Sequence, residues 1–67
     1  MEIQIGEVWL DRDGVEVNIT HIDETGPFPV HGYMIVDGDK QKEQYTTEGR
    51  YLGLKSESQM DLVGQKE

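Results

Sequence analysis

Short runs of alternating apolar and polar residues, separated by turn-forming residues, most restrict the fold of this 67-residue chain. In GVEVNITHI, Val15, Val17 and Ile19 occupy every second position, which is the period of a β-strand with one buried face. Helical periodicity is weak throughout the sequence. We therefore expect a domain built from short strands.

Five such runs follow one another, and residues that favour turns separate them. The predicted strands are EIQIGEVWL (2–10), GVEVNITHI (14–22), FPVHGYMIV (28–36), EQYTTEGRYLGL (43–54, broken near Gly49) and MDLV (60–63). The stretch VDGDKQKE (36–43) is predicted to form a long turn, in which Asp37 and Gly38 readily adopt positive φ. A short helical or 3₁₀ turn is predicted in KSESQ (55–59), and residues 64–67 are expected to form a frayed tail.

Strand number and chain length together favour a bent sheet. Five short strands in a flat sheet would expose two edges and leave one face unburied. We therefore predict an all-β fold, a small five-stranded antiparallel SH3-like barrel that forms a single domain over residues 1–63. The alternative is a bent antiparallel sheet packed on a short helix.

Net charge restricts the partners. The chain has 14 acidic and six basic residues and a net charge of −8 at pH 7. This charge repels phosphate backbones, so direct nucleic-acid binding is not expected, and it attracts proteins with a basic surface. Solubility alone is the other explanation for the acidity. No cysteine, secretory signal or membrane-spanning run is found, which favours a cytoplasmic location without membrane contact.

The sequence DRDG, with Asp11, Asp13 and Gly14, resembles the start of a calcium loop. An EF-hand loop needs glycine at its sixth position and glutamate at its twelfth, but here glycine is fourth and Ile22 is twelfth. A hairpin turn is therefore predicted. The sequence DGDK (37–40) fails in the same way.

Other chemistry has weaker support. His21 and His31 could meet across neighbouring strands beside Asp23, but zinc sites normally need three or four ligands, so no metal site is predicted. Ser56 and Ser58 lack the context of a nucleophile, and no phosphate-binding glycine loop is present. We therefore predict a protein without catalytic residues, enzymatic activity or cofactors.

Candidate binding residues belong to two groups. Trp9 and Phe28 are expected in the core, whereas the tyrosines are expected to be exposed and to offer an aromatic platform for a peptide. Acidic turns are expected to contact a basic partner. The predicted protein-binding residues are Asp11, Asp13, Asp23, Glu24, Asp37, Asp39, Tyr33, Tyr45 and Tyr51.

The order of several short motifs carries a resemblance to a known group. GEVWLDRDG, VNITHID, PVHGY, YTTEGRYL and DLV follow one another over residues 5–63. This arrangement resembles short bacteriophage and prophage proteins, many of which have no assigned function. The resemblance implies a phage source, an SH3-like fold and a location in the cytoplasm of a bacterial host. The chain departs from that pattern in its acidity and in the polar stretch VDGDKQKEQ.

These observations lead to competing functional hypotheses. The leading one is a non-enzymatic phage-type protein that binds a host bacterial protein, in a sharper version as an inhibitor or a nucleic-acid mimic. The second is a peptide-binding SH3-like module. The third is a small self-associating structural phage protein or virion component, because the edges of its sheet could pair with another copy.

Overall fold

The computed structural model describes residues 2–53 and 57–66, and these form one antiparallel sheet without a helix. Its strands are β1 (Val8–Asp11), β2 (Glu16–Ile22), β3 (Val30–Val36), β4 (Asp39–Tyr45) and β5 (Leu62–Gln65). The all-β prediction and the number of strands are thus confirmed.

Consecutive strands β1 to β4 are neighbours in the sheet, and β5 returns to pair with β1, which gives the order β4-β3-β2-β1-β5. Asp37 and Gly38 connect β3 to β4 with φ values of 51° and 83°. Positive φ at both residues is the two-residue turn whose twist matches that of the flanking strands. The positive φ predicted at this dipeptide is confirmed, but the turn is shorter than the predicted stretch 36–43 because β4 begins at Asp39.

The two edge strands of the described chain, β4 and β5, do not contact each other. No strand pairing joins β4 to β5 among the described residues, so the sheet is open and a closed barrel is not formed. The chain after β4 nevertheless reaches β5, because the Leu62 N–H donates to the Gly49 carbonyl at 2.8 Å. The chain that follows β4, rather than β4 itself, therefore covers the start of β5.

The core lies on the concave face of this sheet and follows the alternation of β2 and β3. Glu16 and Thr20 of β2 are exposed, as the alternation predicts. Burial of each large apolar side chain contributes about 1.5–3 kcal/mol. The buried apolar residues are Ile3, Trp9, Val17, Ile19, Val30, Met34, Tyr45 and Leu62.

β2 and β3 approach each other tightly at Gly32. A Cβ atom at this position would lie 2.7 Å from the Asn18 carbonyl oxygen and 3.1 Å from a Val17 methyl carbon. The first contact is with backbone, which cannot move away as a flexible side chain could. Only glycine therefore fits here, a requirement that the alternation pattern does not reveal.

Strand β4 was misplaced by the sequence pattern. It covers Asp39–Tyr45, whereas the prediction was 43–54, and residues 46–53 form turns and bends instead. Strand β4 is an edge strand, and most of its residues are exposed on both faces, so it lacks the apolar alternation of a half-buried strand. The stretch predicted as a long turn therefore contains most of a strand.

Both ends of the chain also differ from expectation. Strand β1 begins only at Val8, because Gly6 adopts a φ of 91° in a preceding turn. Strand β5 continues to Gln65, inside the segment assigned to the tail, and the Lys66 N–H donates to the Val8 carbonyl at 2.8 Å. The helical turn predicted at 55–59 lies partly outside the described residues, and 57–59 are not helical.

Candidate functional site

Asp11 organises the turn between β1 and β2. Its side-chain Oδ1 accepts hydrogen bonds from the N–H groups of Asp13 and Val15, both at 2.9 Å, and the residue is buried. Gly14 has a φ of 80° and donates its N–H to the Asp11 carbonyl at 3.0 Å. The turn interpretation of DRDG is confirmed. The expectation that Asp11 contacts a partner is wrong, because its carboxylate is buried and accepts the N–H groups of its own turn.

The remaining acidic candidates lie at two opposite ends of the sheet. Successive strands reverse direction, so the turns with Asp13 and Asp37, and Asp39 at the start of β4, share one end of the sheet. The β2–β3 loop with Asp23 and Glu24 lies at the other end. A strand of seven residues such as β2 separates them by about 20 Å. The acidic residues therefore form two surfaces rather than one.

Asp23 is held in place within its own loop. Its Oδ1 accepts hydrogen bonds from the Thr25 hydroxyl at 2.9 Å and from the Thr25 N–H at 3.2 Å. These two hydrogen bonds hold the pKa of the exposed Asp23 below its ordinary value, and the bond from the hydroxyl has the larger effect. Asp23 thus carries a fixed negative charge beside Glu24.

The three tyrosines have different environments. Tyr45 is 0% exposed and belongs to the core, so its predicted role as an exposed ring is wrong. Burial raises the pKa of its hydroxyl, which finds no hydrogen-bond partner among the described residues. Tyr51 is half-buried and contacts Tyr45 edge-on at 6.0 Å, and Tyr33 is half-buried under Lys40, whose Nζ lies 4.4 Å from the ring centre. They do not form a common platform.

An apolar groove lies between the β2–β3 loop and the segment that follows β4. Its volume is about 790 Å³. Leu52 in its wall is 58% exposed, and Phe28 is only half-buried, contrary to the core position predicted for this ring. Residues that line the groove include Ile22, Glu24, Pro27, Phe28, Thr47 and Leu52. The groove therefore combines exposed apolar surface with one carboxylate.

The segment of residues 46–53, here called the connecting segment, forms one wall of this groove. The Thr46 hydroxyl oxygen accepts the N–H groups of Glu48 and Arg50 at 3.2 and 3.1 Å, and the Thr46 N–H donates to the Arg50 carbonyl at 2.9 Å. Gly49 within this turn has a φ of 80°. The wall is thus a hydrogen-bonded turn, although the sequence pattern predicted a strand.

Asp61 anchors the connecting segment through the residues that precede Leu52. It is 1% exposed, and its Oδ1 accepts the Tyr51 N–H at 2.8 Å. Its Oδ2 accepts the Ser58 N–H at 3.0 Å and forms ion pairs with Arg12 at 3.3 Å and Arg50 at 3.4 Å. One buried carboxylate therefore joins the β1–β2 turn, the connecting segment and the start of β5. We call these contacts of Asp61 with Arg12, Arg50, Tyr51 and Ser58 the Asp61 junction.

The electrostatics of this junction follow from its hydrogen bonds. Burial by itself raises the pKa of Asp61, but the N–H groups of Tyr51 and Ser58 and the two guanidinium groups stabilise the charged form. The resulting pKa lies below the ordinary value. Asp61 was not predicted as a site residue because its partners lie up to 49 residues away in sequence. Its position directly before the apolar pair of β5 was the only local indication of its importance.

His21 and His31 do meet across β2 and β3, as the strand pattern suggested. They are register partners, and their ring centres lie 5.6 Å apart in a tilted arrangement. Within residues 2–53 and 57–66, no group of three or more His, Cys, Asp or Glu side chains is placed to hold a metal ion. The pair therefore forms part of a polar surface.

Comparison with known proteins identified no relative of this chain. No protein family, no curated protein and no solved structure matches this chain. A helix long and apolar enough to cross a bilayer is also not found in the described part of the chain. The functional proposal consequently depends on the groove, the charges and the bonds described above.

Proposed function

We propose that this chain is a non-enzymatic binding protein whose apolar groove holds an extended segment of a partner protein. The groove of about 790 Å³ with the exposed side chain of Leu52 carries this proposal. Exposed apolar residues grouped around a concave surface with a polar rim are typical of protein-binding sites. The connecting segment supplies a fixed wall, which lowers the entropy lost when a peptide binds.

Charge defines the class of partner. Glu24 lines the groove, and Asp23 precedes it in the same loop. Together with the net charge of −8, these carboxylates favour a segment that contains lysine or arginine beside its apolar residue. The groove therefore suits a basic, apolar peptide, and electrostatic attraction increases its rate of association.

The fold proposal extends to an SH3-like barrel that is open along one seam. The strand order, in which β5 pairs with β1, and the bond between Leu62 and Gly49 support it. In SH3 domains an aromatic-lined groove holds extended proline-rich peptides. Here Phe28 supplies the aromatic surface, since Tyr45 is buried and cannot reach a ligand.

The order of motifs that resembles short phage proteins supports a bacterial host protein as the partner and the host cytoplasm as the location. Inhibition of that host protein is the biological role that we propose. The apolar groove favours this role over self-association through edge strand β4. In an antiparallel pair of β4 strands, Lys40 or Lys42 of one copy would face a lysine of the other at the central registers, and facing like charges are destabilising.

Nucleic-acid mimicry is the second candidate, and a separate observation favours it. Asp13, Asp37 and Asp39 are exposed at one end of the sheet, far from the groove. Such carboxylates could occupy the phosphate sites of a DNA-binding protein. Binding to that protein should weaken steeply with salt and be displaced by DNA. Binding that resists both salt and DNA would contradict mimicry and leave the groove as the contact.

Selection from a displayed library of random peptides tests the groove directly. The unmodified protein should enrich peptides that combine a large apolar residue with lysine or arginine. A selected peptide, added to a bacterial lysate, should displace the host protein that the immobilised chain captures. Enrichment of acidic peptides, or no enrichment at all, would contradict the proposal.

A pair of charge variants then locates the basic residue of the peptide. Glu24→Gln should weaken binding by about tenfold, because a charge-assisted contact at a partly desolvated site contributes about 1.5 kcal/mol. Glu2→Gln makes the same change in net charge at an exposed position outside the groove and should have little effect. Equal losses in both variants would mean that overall charge, rather than the groove, attracts the peptide.

A further inference from the structure

The basic side chains of the described chain have two different environments. Arg12 and Arg50 pair with Asp61, and Lys66 pairs with Glu16 at 2.7 Å. Lys40 and Lys42 form no ion pair with any described residue and lie on the outer face of β4. An otherwise acidic molecule therefore has two uncompensated ammonium groups on one face of its sheet.

These lysines border a recess formed by three neighbouring strands. Its volume is about 350 Å³, and its polar lining includes His21 of β2, His31 of β3, and Lys42, Glu43 and Gln44 of β4. The register places His31 between His21 and Gln44, and Tyr33 opposite Lys42. Imidazole, amide and ammonium groups thus converge on one small volume from three strands.

We infer that this recess binds a small tetrahedral dianion, namely the phosphate group of a phosphate monoester. An ammonium group and several N–H donors on different strands match an anion with several acceptor oxygens. The long-range charge of −8 opposes a polyanion, so the site selects a small ligand rather than a nucleic acid. This face lies outside the groove of the proposed function and does not depend on it.

Two acidic groups lie at or near the recess: Glu43 is in its lining, and Asp23 interacts electrostatically with both histidines. The Asp23 carboxylate accepts both hydrogen bonds from Thr25, and the Glu43 carboxylate lies 3.5 Å from the Tyr51 hydroxyl. Lys40 covers the ring of Tyr33. A hydrogen bond leaves a carboxylate charged, so binding of the anion depends on the ammonium group of Lys42 and on the N–H donors of the two imidazoles and of Gln44.

Titration calorimetry of the whole chain with inorganic sulfate and with inorganic phosphate tests this inference. Each anion should bind saturably with a stoichiometry of one per chain. A nucleoside monophosphate should bind at least as tightly as phosphate, whereas tighter binding of a longer oligonucleotide would overturn the small-ligand assignment.

Two variants with the same change in net charge make the result specific. Lys42→Gln should weaken sulfate binding by about tenfold, as expected for the loss of a charge-assisted contact. Lys66→Gln removes a lysine far from the recess and should leave the affinity within about twofold. Absence of saturable binding to the unmodified protein, or equal losses in the two variants, would overturn the inference.

Discussion

The two sides of the connecting segment differ in how they use their chemical groups. On one side, the Tyr51 N–H donates to the buried Asp61 carboxylate, which also holds Arg12 and Arg50. On the other side, the neighbouring Leu52 exposes 58% of its surface to the groove. Adjacent residues thus differ in their contacts: Tyr51 is fixed by the Asp61 junction, whereas Leu52 leaves apolar surface exposed in the groove.

The comparison explains how a small domain can keep an exposed apolar wall in a fixed position. A chain of this length buries little core, so its stability is marginal. Hydrogen bonds at Thr46 and Asp61 supply local order to the connecting segment. Variants of the Asp61 junction should therefore change stability, and variants of the groove should change binding.

The largest effect is expected for Asp61→Ala. The substitution leaves two N–H groups and two guanidinium groups without their shared acceptor, and it should lower the free energy of unfolding by about 3 kcal/mol. Chemical denaturation followed by tryptophan fluorescence measures this change. The control Asp13→Ala removes an exposed acid and should change stability by less than about 0.5 kcal/mol. Equal small losses in the two variants would mean that the junction does not hold the fold.

Gly32→Ala should cost about 2 kcal/mol, because the new Cβ atom would press on the backbone oxygen of Asn18. The matched control is Gly64→Ala, since a Cβ atom at Gly64 meets no atom within 4 Å and its φ is not positive. Thermal unfolding of both variants measures the difference. A Gly32→Ala protein as stable as the Gly64→Ala protein would contradict the close approach of β2 and β3.

The acid dependence of stability should also report the Asp61 junction. Folding lowers the pKa of Asp61 from an ordinary value of 3.8, so its stabilising effect is present above that value and is lost as pH falls below it. Asp61→Asn should be less stable near neutral pH but should lose less further stability on acidification. Denaturation at several pH values checks this, and a variant with the same acid dependence as the unmodified protein would assign acid unfolding to other groups.

Tyr45→Phe should raise the free energy of unfolding by up to about 1 kcal/mol. The buried hydroxyl has no partner among the described residues, and its removal ends the cost of desolvation. Tyr33→Phe, at a half-buried ring on the outer face, is the control and should have almost no effect. A clear loss of stability in Tyr45→Phe would instead reveal a hydrogen bond to this hydroxyl.

Where one face of a strand is buried and the other exposed, the sequence was sufficient to predict the structure. Val17 and Ile19 alternate with exposed residues, and Asp37 and Gly38 have the turn chemistry that a tight hairpin requires. Strand β4 could not be recognised in this way, because an edge strand with two exposed faces has no apolar period. Local pattern therefore identifies half-buried strands but not polar edges.

The groove and the Asp61 junction depend on contacts that no local pattern contains. Asp61 and Arg12 lie 49 residues apart and meet only because β5 returns to β1. The local sequence does not distinguish Tyr45 from Tyr51, but the ring of Tyr45 lies in the core and the ring of Tyr51 packs against the outside of it. Glu24 was predicted as a binding residue, whereas the exposure of Leu52 in the groove depends on the position of the connecting segment beside the β2–β3 loop.

The central claim, that the groove beside Leu52 is the binding surface, is tested most directly by the affinity of one selected peptide for two variants. Leu52→Ser and Ile35→Ser each remove an apolar side chain of similar exposure, 58% and 54%, but only the first lies in the groove. Leu52→Ser should weaken peptide binding by about tenfold or more while keeping its stability, and Ile35→Ser should bind as tightly as the unmodified protein. Equal affinity of the two variants, or a loss confined to Ile35→Ser, would contradict the account.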